Sequence, residues 1–464
     1  MSGLLFYFST DFHQLWPLLW LAPIPILLYS YYHRYFSSFF VGFCAFLVGG
    51  CNDVLYYFGT SLPTSLLLND IICSSLVFGF IIVLNKWVVK RLDHWLAILV
   101  FPSLWTSYEF FLAHTSPAGS LTSFAYDQIH FLSFVQLASF TGIWGVSFVL
   151  LLFSSGISYA IYCRRTGDRW VSVTIAILLP LICISYGYIR LHSNFSSPQL
   201  IKIALIDIKM PTRVFDDGAM DLSKKYISLI QQANTQKPQF IVLPEKFIRI
   251  HDSSYQKIIP LFQNAAAKSQ ATLILGVATL GQTNFNSAVI INPRGQIQAV
   301  YHKQHLLPGA EDQFTAGKQF FIANDQIRWG TAICKDMDFS ELGKYYGRVE
   351  TQLLLVPALD FNVDGWLHGR VAMMRGIENG FAVARSAGQG LLTITDQFGR
   401  IIAIKADGQD SNNILITTVM IYPLHTFYAE HGDWFAWFIL ILLSFLVLTA
   451  FFKKNKFTKQ NSVI

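Results

Sequence analysis

The sequence predicts two unlike parts in one chain: a polytopic α-helical membrane part and an α/β domain. Three observations predict it. With 464 residues, mean hydropathy +0.42, 53% hydrophobic and 13% charged residues, the chain is more apolar than soluble proteins, whose charged share is about 25%. Most of its acids fall between about 199 and 425. Apolar runs of membrane-spanning length lie on both sides of that region.

Taken in order, those runs lie near 14–32, 39–58, 70–90, 94–113, 132–162 and 171–190, with a last one at 434–452. Residues 4–8 form a further short apolar piece, either a separate span or part of a tilted first one, so seven or eight helices are expected. The organisation follows as a membrane part over 1–195 with six or seven helices, an α/β domain over 199–425, a helix over 434–452 and a basic tail over 453–464. Without a small-residue cleavage site after a short core, the apolar N-terminus reads as retained membrane segment.

Lys and Arg crowd alternate connections: Arg34, then Lys86, Lys90 and Arg91, then Arg164, Arg165 and Arg169, then Lys453, Lys454, Lys456 and Lys459. Stretches 59–69 and 114–131 have none. Short cytoplasmic loops carry this excess, so the α/β domain is expected on the outer side, which in a Gram-negative cell is the periplasm. The formal charge of +6 is explained by this topology and not by a nucleic-acid partner. Asp53, Asp70 and Glu109 lie in the apolar zone but form no relay of the kind a transporter needs. Glu109 stands out among them, as a polar membrane site or as a structural hydrogen bond.

Within 199–425, β-branched runs such as "LIKIALIDI", "FIVLPE", "QIQAVYHK", "RWGTAIC" and "QLLLVPA" alternate with helical stretches at 218–235, 254–269 and 366–379. That alternation predicts sheets covered by helices. Three strand ends carry reactive groups: Glu245 closes "FIVLPE", Lys303 closes "QIQAVYHK" and Cys334 closes "RWGTAIC". Strand C-termini in α/β sheets project into the ligand-binding crevice. The other cysteines, Cys44, Cys51, Cys73, Cys163 and Cys183, lie in apolar runs or at their ends, where cysteine acts as a small hydrophobe. Cys334 is left alone in the polar region, the pattern of a reactive thiol. A thiol attacks only as thiolate. Glu245 is placed to take its proton, and Lys303 to hold the thiolate and then the oxyanion of a tetrahedral intermediate. No metal cluster, nucleotide loop or nucleic-acid motif is visible, and no cofactor is expected.

The segments "VLPEKF", "YHKQHLLPGAE", "TAICKDMDF" and "RGIENGFAVARSAGQGLLTITDQFGR" resemble the successive motifs of the nitrilase, or carbon-nitrogen hydrolase, superfamily, whose Glu, Lys and Cys triad fills these slots. In the apolar half, "WTSYEFFLAHTSPAGS", "QLASFTGIWGVSFVL" and "TFYAEHGDW" resemble the apolipoprotein N-acyltransferase family of bacterial inner-membrane enzymes. The resemblance implies an αββα sandwich. It also implies a Cys334 acyl-thioester drawn from a phospholipid, and transfer of that acyl chain to the α-amine of a diacylglyceryl-cysteine lipoprotein. It carries Glu245, Lys303 and Cys334 into the triad and Glu311 into the acid that supports the lysine. It makes 358–370 a mobile loop over the acyl site, with Trp366 and His368 as substrate contacts. A monomer is expected.

Two departures stand out. The family has an aromatic residue and then Glu after the nucleophile, where this chain has Lys335 and Asp336. Asp336 is carried as a supporting acid, and Lys335 as a contact for lipid phosphate. The aromatic-rich stretch after the lysine is replaced by "PGAEDQF". The alternative is a membrane-anchored amidase or acyltransferase of the same superfamily acting on another amine, amide or lipid. A non-catalytic scaffold of the same fold has no need of all three reactive groups.

Overall fold

The computed structural model describes every residue except 55–59, 61–63, 194, 196, 210–214, 407–411 and 454–464. The end of the 39–58 run and all but the first residue of the basic tail therefore lie outside the described residues. The chain divides into two units. One is Met1–Thr115, Thr122–Leu191 and His431–Ile464; the other is Ser116–Leu121 and His192–Glu430.

In the first unit, six helices among the described residues are long and apolar enough to cross a membrane: Tyr35–Asp53, Asp70–Leu92, Trp95–Thr115, Ile143–Tyr162, Thr166–His192 and Trp434–Phe452. Two expected runs come out differently. Residues 14–32 do not form one helix: Pro17 stands in a 3-10 turn at Trp16–Trp20, and Pro23 opens a separate helix, Pro23–Tyr32. Proline has no N–H to donate and is accommodated at a helix start, so it resets the chain there. Residues 132–162 are split at Gly142, whose φ of +68° ends the short helix Ala138–Thr141 before Ile143–Tyr162 begins. Only glycine adopts that φ without strain.

Glu109 is buried in this unit and is held by neutral donors. Trp105 Nε1 and the Phe124 amide each donate to Oε1 at 2.9 Å, and Ser123 Oγ donates to Oε2 at 3.0 Å. Both oxygens are thus engaged, and the carboxylate fastens the start of segment 122–128 to the helix that carries it.

The second unit is built on two sheets. The first joins β1 (Gln199–Ile208), β2 (Phe240–Val242), β3 (Ile248–His251), β4 (Thr272–Leu280), β5 (Phe285–Ile291), β6 (Ile297–His302) and β13 (Asn412–Ile421) in the order β13-β1-β2-β4-β5-β6, with β3 also on β4. The second joins β7 (Ile322–Asn324), β8 (Arg328–Thr331), β9 (Leu353–Leu359), β10 (Ala382–Gly388), β11 (Leu391–Thr395) and β12 (Ile401–Ala406) in the order β12-β11-β10-β9-β8-β7.

Strand periodicity assigns the layers. In β1, Ile201, Ile203 and Leu205 pack with Trp329, Leu353, Leu355, Ala382 and Ala384 of the second sheet, forming the layer between the sheets. The alternate residues Ala204, Ile206 and Ile208 face the helices Asp216–Ala233 and Asp252–Ser269. In β9, Leu354 and Val356 point the other way, toward Ser340–Arg348 and Gly365–Asn379. This is an αββα sandwich whose central strands are buried on both faces, which is why its parallel strands read as continuous apolar runs, whereas the outer strands β6 and β12 are largely exposed. Burial of each such Ile, Leu or Val side chain contributes about 1.5–3 kcal/mol.

Candidate active site

Glu245, Lys303 and Cys334 come from three different strand ends. Lys303 directly follows β6, whereas Glu245 and Cys334 stand three residues beyond β2 and β8. The turn carrying Glu245 is held by its amide, which donates to the Ala358 carbonyl at 3.1 Å, and by the Phe247 amide, which donates to the Gly276 carbonyl at 3.0 Å. Gly276 is required there, since a Cβ would collide with the Pro244 carbonyl and crowd the Glu245 backbone. Cys334 has φ +43°, in the left-handed region. For a side chain other than glycine this conformation is strained, and such strain clusters at functional sites. It starts the 3-10 turn Cys334–Asp338, and its Sγ lies 3.6 Å from the Leu359 carbonyl oxygen.

Beneath the thiol is a buried charge cluster. Lys303 Nζ donates to Glu245 Oε1 at 2.9 Å and to Glu311 Oε2 at 2.8 Å. Asn286 Nδ2 bridges the same two acids, 2.6 Å from Glu245 Oε1 and 2.8 Å from Glu311 Oε1. Lys246, next to Glu245 and also at positive φ, lies 3.2 Å from Glu245 Oε1 and donates to Glu311 Oε1. Every donor to Glu245 falls on Oε1, and Oε2 accepts no hydrogen bond among the described residues. Glu311, expected beside Lys303, bonds it here, while Lys246 and Asn286 were not among the expected residues.

Electrostatics divide the roles. Burial acts to raise the Glu245 carboxyl, but Lys246 and Lys303 outweigh it and hold the group well below the ordinary carboxylate range. Burial likewise opposes the charge on Lys303, yet Glu245 and Glu311 hold it well above the usual lysine value. Burial and the Glu245 charge push the Cys334 thiol above its usual range, with Lys303 and Arg385 pulling the other way. At rest, then, the thiol keeps its proton beside an ionised carboxylate.

Two ion-pair sites, one fully buried and one partly so, flank the loop that follows β9. Arg385 makes a bidentate pair with Asp360, one bond at 2.9 Å, and both residues are buried. His368 lies between Asp338 Oδ1 at 3.6 Å and Asp364 Oδ2 at 3.3 Å. Burial tends to discharge His368, but these carboxylates raise it to about 10. It is a charged clasp between the turn after Cys334 and the loop after β9, not a surface histidine. The expected mobile loop 358–370 is the end of β9, a short connection and the opening turns of Gly365–Asn379, with Trp366 half-buried on the first of them.

The residues after Cys334 differ in role. Asp336 holds backbone: Oδ1 accepts from the Gln304 and His305 amides at 3.1 and 2.8 Å, and Oδ2 from the Ile333 amide at 3.1 Å and Tyr301 Oη at 2.8 Å. It cross-ties the segments behind Lys303 and Cys334 without touching Lys303's carboxylates. Lys335 is buried and lies 3.6 Å from Asp338 Oδ2, with Phe339 beneath its ammonium at 5.7 Å. Ser120 belongs to the same surroundings: its amide and hydroxyl donate to the Asp338 carbonyl at 3.0 and 2.8 Å, and Arg375 donates to its oxygen at 2.5 Å. Among the described residues, no group of three or more His, Cys, Asp and Glu is arranged to hold a metal ion. What the cluster can do is move one proton from sulfur to carboxylate next to a fixed positive charge, the requirement of covalent acyl chemistry.

Comparison with known proteins matches residues 2–156 to the family model described as apolipoprotein N-acyltransferase N-terminal domain, and residues 204–423 to carbon-nitrogen hydrolase. An apolipoprotein N-acyltransferase of Geobacter metallireducens is 24% identical, covering 98% of this chain and 95% of the relative. One from Chlorobaculum tepidum is 23% identical, covering 95% and 92%. Among solved structures, Saccharomyces cerevisiae Nit3, a member of branch 10 of the nitrilase superfamily, aligns at 22% identity and TM-score 0.41, covering 48% of this chain and 91% of that one.

Proposed function

The chain belongs to the apolipoprotein N-acyltransferase family, with that family's N-terminal domain followed by a carbon-nitrogen hydrolase domain, and from that premise we propose that it transfers an acyl chain from a phospholipid, through a thioester on Cys334, to the N-terminal amine of a diacylglyceryl-cysteine lipoprotein. The observation that carries this reading is the cluster under Cys334: one lysine held at 2.9 and 2.8 Å between two buried carboxylates, with Glu245 Oε2 left open.

The steps follow from that geometry. Glu245 Oε2 takes the Cys334 proton, and the thiolate attacks the ester carbonyl of the lipid. Once Glu245 is neutral, the Lys303 charge that it had matched is available to the thiolate and then to the oxyanion. The carbon–oxygen bond breaks, the lysophospholipid leaves with the proton from Glu245, and an S-acyl enzyme remains. The acceptor amine then attacks the thioester, Glu245 takes a proton from the amine, and sulfur leaves and is reprotonated. Glu311 keeps Lys303 charged and in place, and Asp336 holds the backbone behind it. Lys335, matched by Asp338, is in this reading a contact for the lipid phosphate. Trp366 and His368 border the acyl chain.

The alternating Lys and Arg of the connections support an outward-facing catalytic domain on a bacterial inner membrane. The test is to incubate the purified protein with phospholipid and follow intact mass, then add a diacylated lipopeptide. An acyl adduct on Cys334 that the lipopeptide amine discharges is expected. An adduct on another residue, or discharge only by water, would overturn the reading.

A further inference from the structure

Three charges are enough for the chemistry just described, yet the cluster contains a fourth. Lys246 follows the general base directly, is largely buried with its side chain 9% exposed, and adopts φ +50°, a conformation that lysine adopts only under strain. The strain turns its ammonium inward, 3.2 Å from Glu245 Oε1 and bonded to Glu311 Oε1. Two acids and two lysines then balance. Without Lys246, the buried group would carry an excess negative charge centred on the two carboxylates, a costly arrangement in a low-dielectric interior.

We propose that Lys246 is a positioning residue for the reaction: acting through the two carboxylates it bridges, it keeps Glu245 ionised but weakly basic, so that the thiol retains its proton until substrate enters. The groups that face Glu245 are Lys246, Lys303 and the thiol of Cys334, with Glu311 behind the lysines and the Arg385–Asp360 pair beyond the sulfur. Of these, Lys246 is the one whose removal changes the balance at Glu245 while leaving the triad intact. The direction of the Glu245 shift, with Lys246 the foremost lowering influence, agrees with the geometry. The inference deepens the acyl-transfer reading but needs only the proton transfer from Cys334 to Glu245.

That transfer is measured without lipid, by alkylating the detergent-solubilised full chain with iodoacetamide across pH and quantifying the Cys334 peptide by mass. The sulfur–carbon bond forms, iodide leaves, and Glu245 takes the thiol proton. In the unmodified chain the acid limb of the rate lies below the ordinary carboxylate range. In Lys246→Gln, Glu245 becomes more basic, so the limb moves to higher pH and the plateau rate rises with it, about tenfold for each pH unit of the move. Lys246→Arg, which keeps the charge, restores the wild-type limb. A limb that stays in place while the rate falls at every pH would make Lys246 merely structural and overturn the proposal. Should Lys246→Gln not fold, the comparison is made in the Glu311→Gln background, where removing Lys246 restores charge balance. There the limb must lie higher in the double variant than in Glu311→Gln alone, and equal limbs overturn the proposal. Failure of the acyl-transfer reading shows separately, as alkylation at Cys334 in a wild-type chain that phospholipid does not acylate.

Discussion

Glu109 in the membrane unit and Glu245 in the α/β unit are both buried glutamates, and their surroundings suit them to opposite tasks. Glu109 is surrounded by neutral donors that occupy both of its oxygens. Glu245 gathers two lysines and an amide on one oxygen and leaves the other open. A carboxylate saturated by neutral donors is a fastening. One whose charge is balanced by cations, with a lone pair unused, is suited to act as the base in the acyl transfer proposed above. Identity and burial do not separate the two; the kind of partner and the count of free lone pairs do.

The sharpest break in that comparison comes from the sulfur that Glu245 serves. Cys334→Ala is expected to abolish the acyl adduct, while Glu109→Gln, which keeps the shape, leaves adduct formation within about threefold, because its partners are fastenings outside the chemistry. Adduct formation surviving in Cys334→Ala would move the nucleophile elsewhere.

Next in size is the pair behind the sulfur. Asp360→Ala leaves Arg385 buried and uncompensated, at a cost of about 3–5 kcal/mol, read as a lower denaturation midpoint of the catalytic unit. Glu109→Ala is expected to cost less, about 1–3 kcal/mol for the orphaned donors. An equal loss in the two variants would erase the distinction between charged and neutral partners.

The smallest effect is alkaline. His368 is raised to about 10 by Asp338 and Asp364, above an unfolded value near 6.5. Its clasp therefore contributes in full below about 6.5 and is lost as pH rises through about 10. The difference in stability between the wild-type chain and His368→Gln should shrink over that window. A difference that is flat with pH would mean the imidazole is not charged in the fold.

How much of this was legible in the sequence depends on the range of the interactions. The sheets covered by helices and the three reactive strand ends were legible because apolar runs and their polar stops are local signals, whereas the αββα arrangement came from the resemblance of the motifs to a known family. Pro17, Pro23 and Gly142 were also visible, yet hydropathy alone merged the pieces that they separate. Asn286, Asp360 and Arg385 were missed because each is a polar residue inside or beside an apolar strand, as in "FNSAVII" and "AVARSAG". A lone polar residue in such a run signals a buried partner, but that partner lies 25 to 41 residues away, beyond any periodicity. Lys246 was hidden by its neighbour: beside a recognised acid, a lysine reads as a solvated charge until its positive φ turns it inward. His368 was placed near the acyl site, and its charge became evident only once Asp338 and Asp364 were seen on either side.

The central claim is that Glu245 takes the proton that makes Cys334 a nucleophile. It is tested most directly by the rate of acyl-adduct formation on Cys334 from phospholipid at neutral pH, by intact mass, in Glu245→Gln beside the wild-type chain. The isosteric amide keeps the fold but cannot accept the proton, so the rate is expected to fall by about 10²- to 10⁴-fold. An adduct forming in Glu245→Gln at the wild-type rate would contradict the claim and place the base elsewhere.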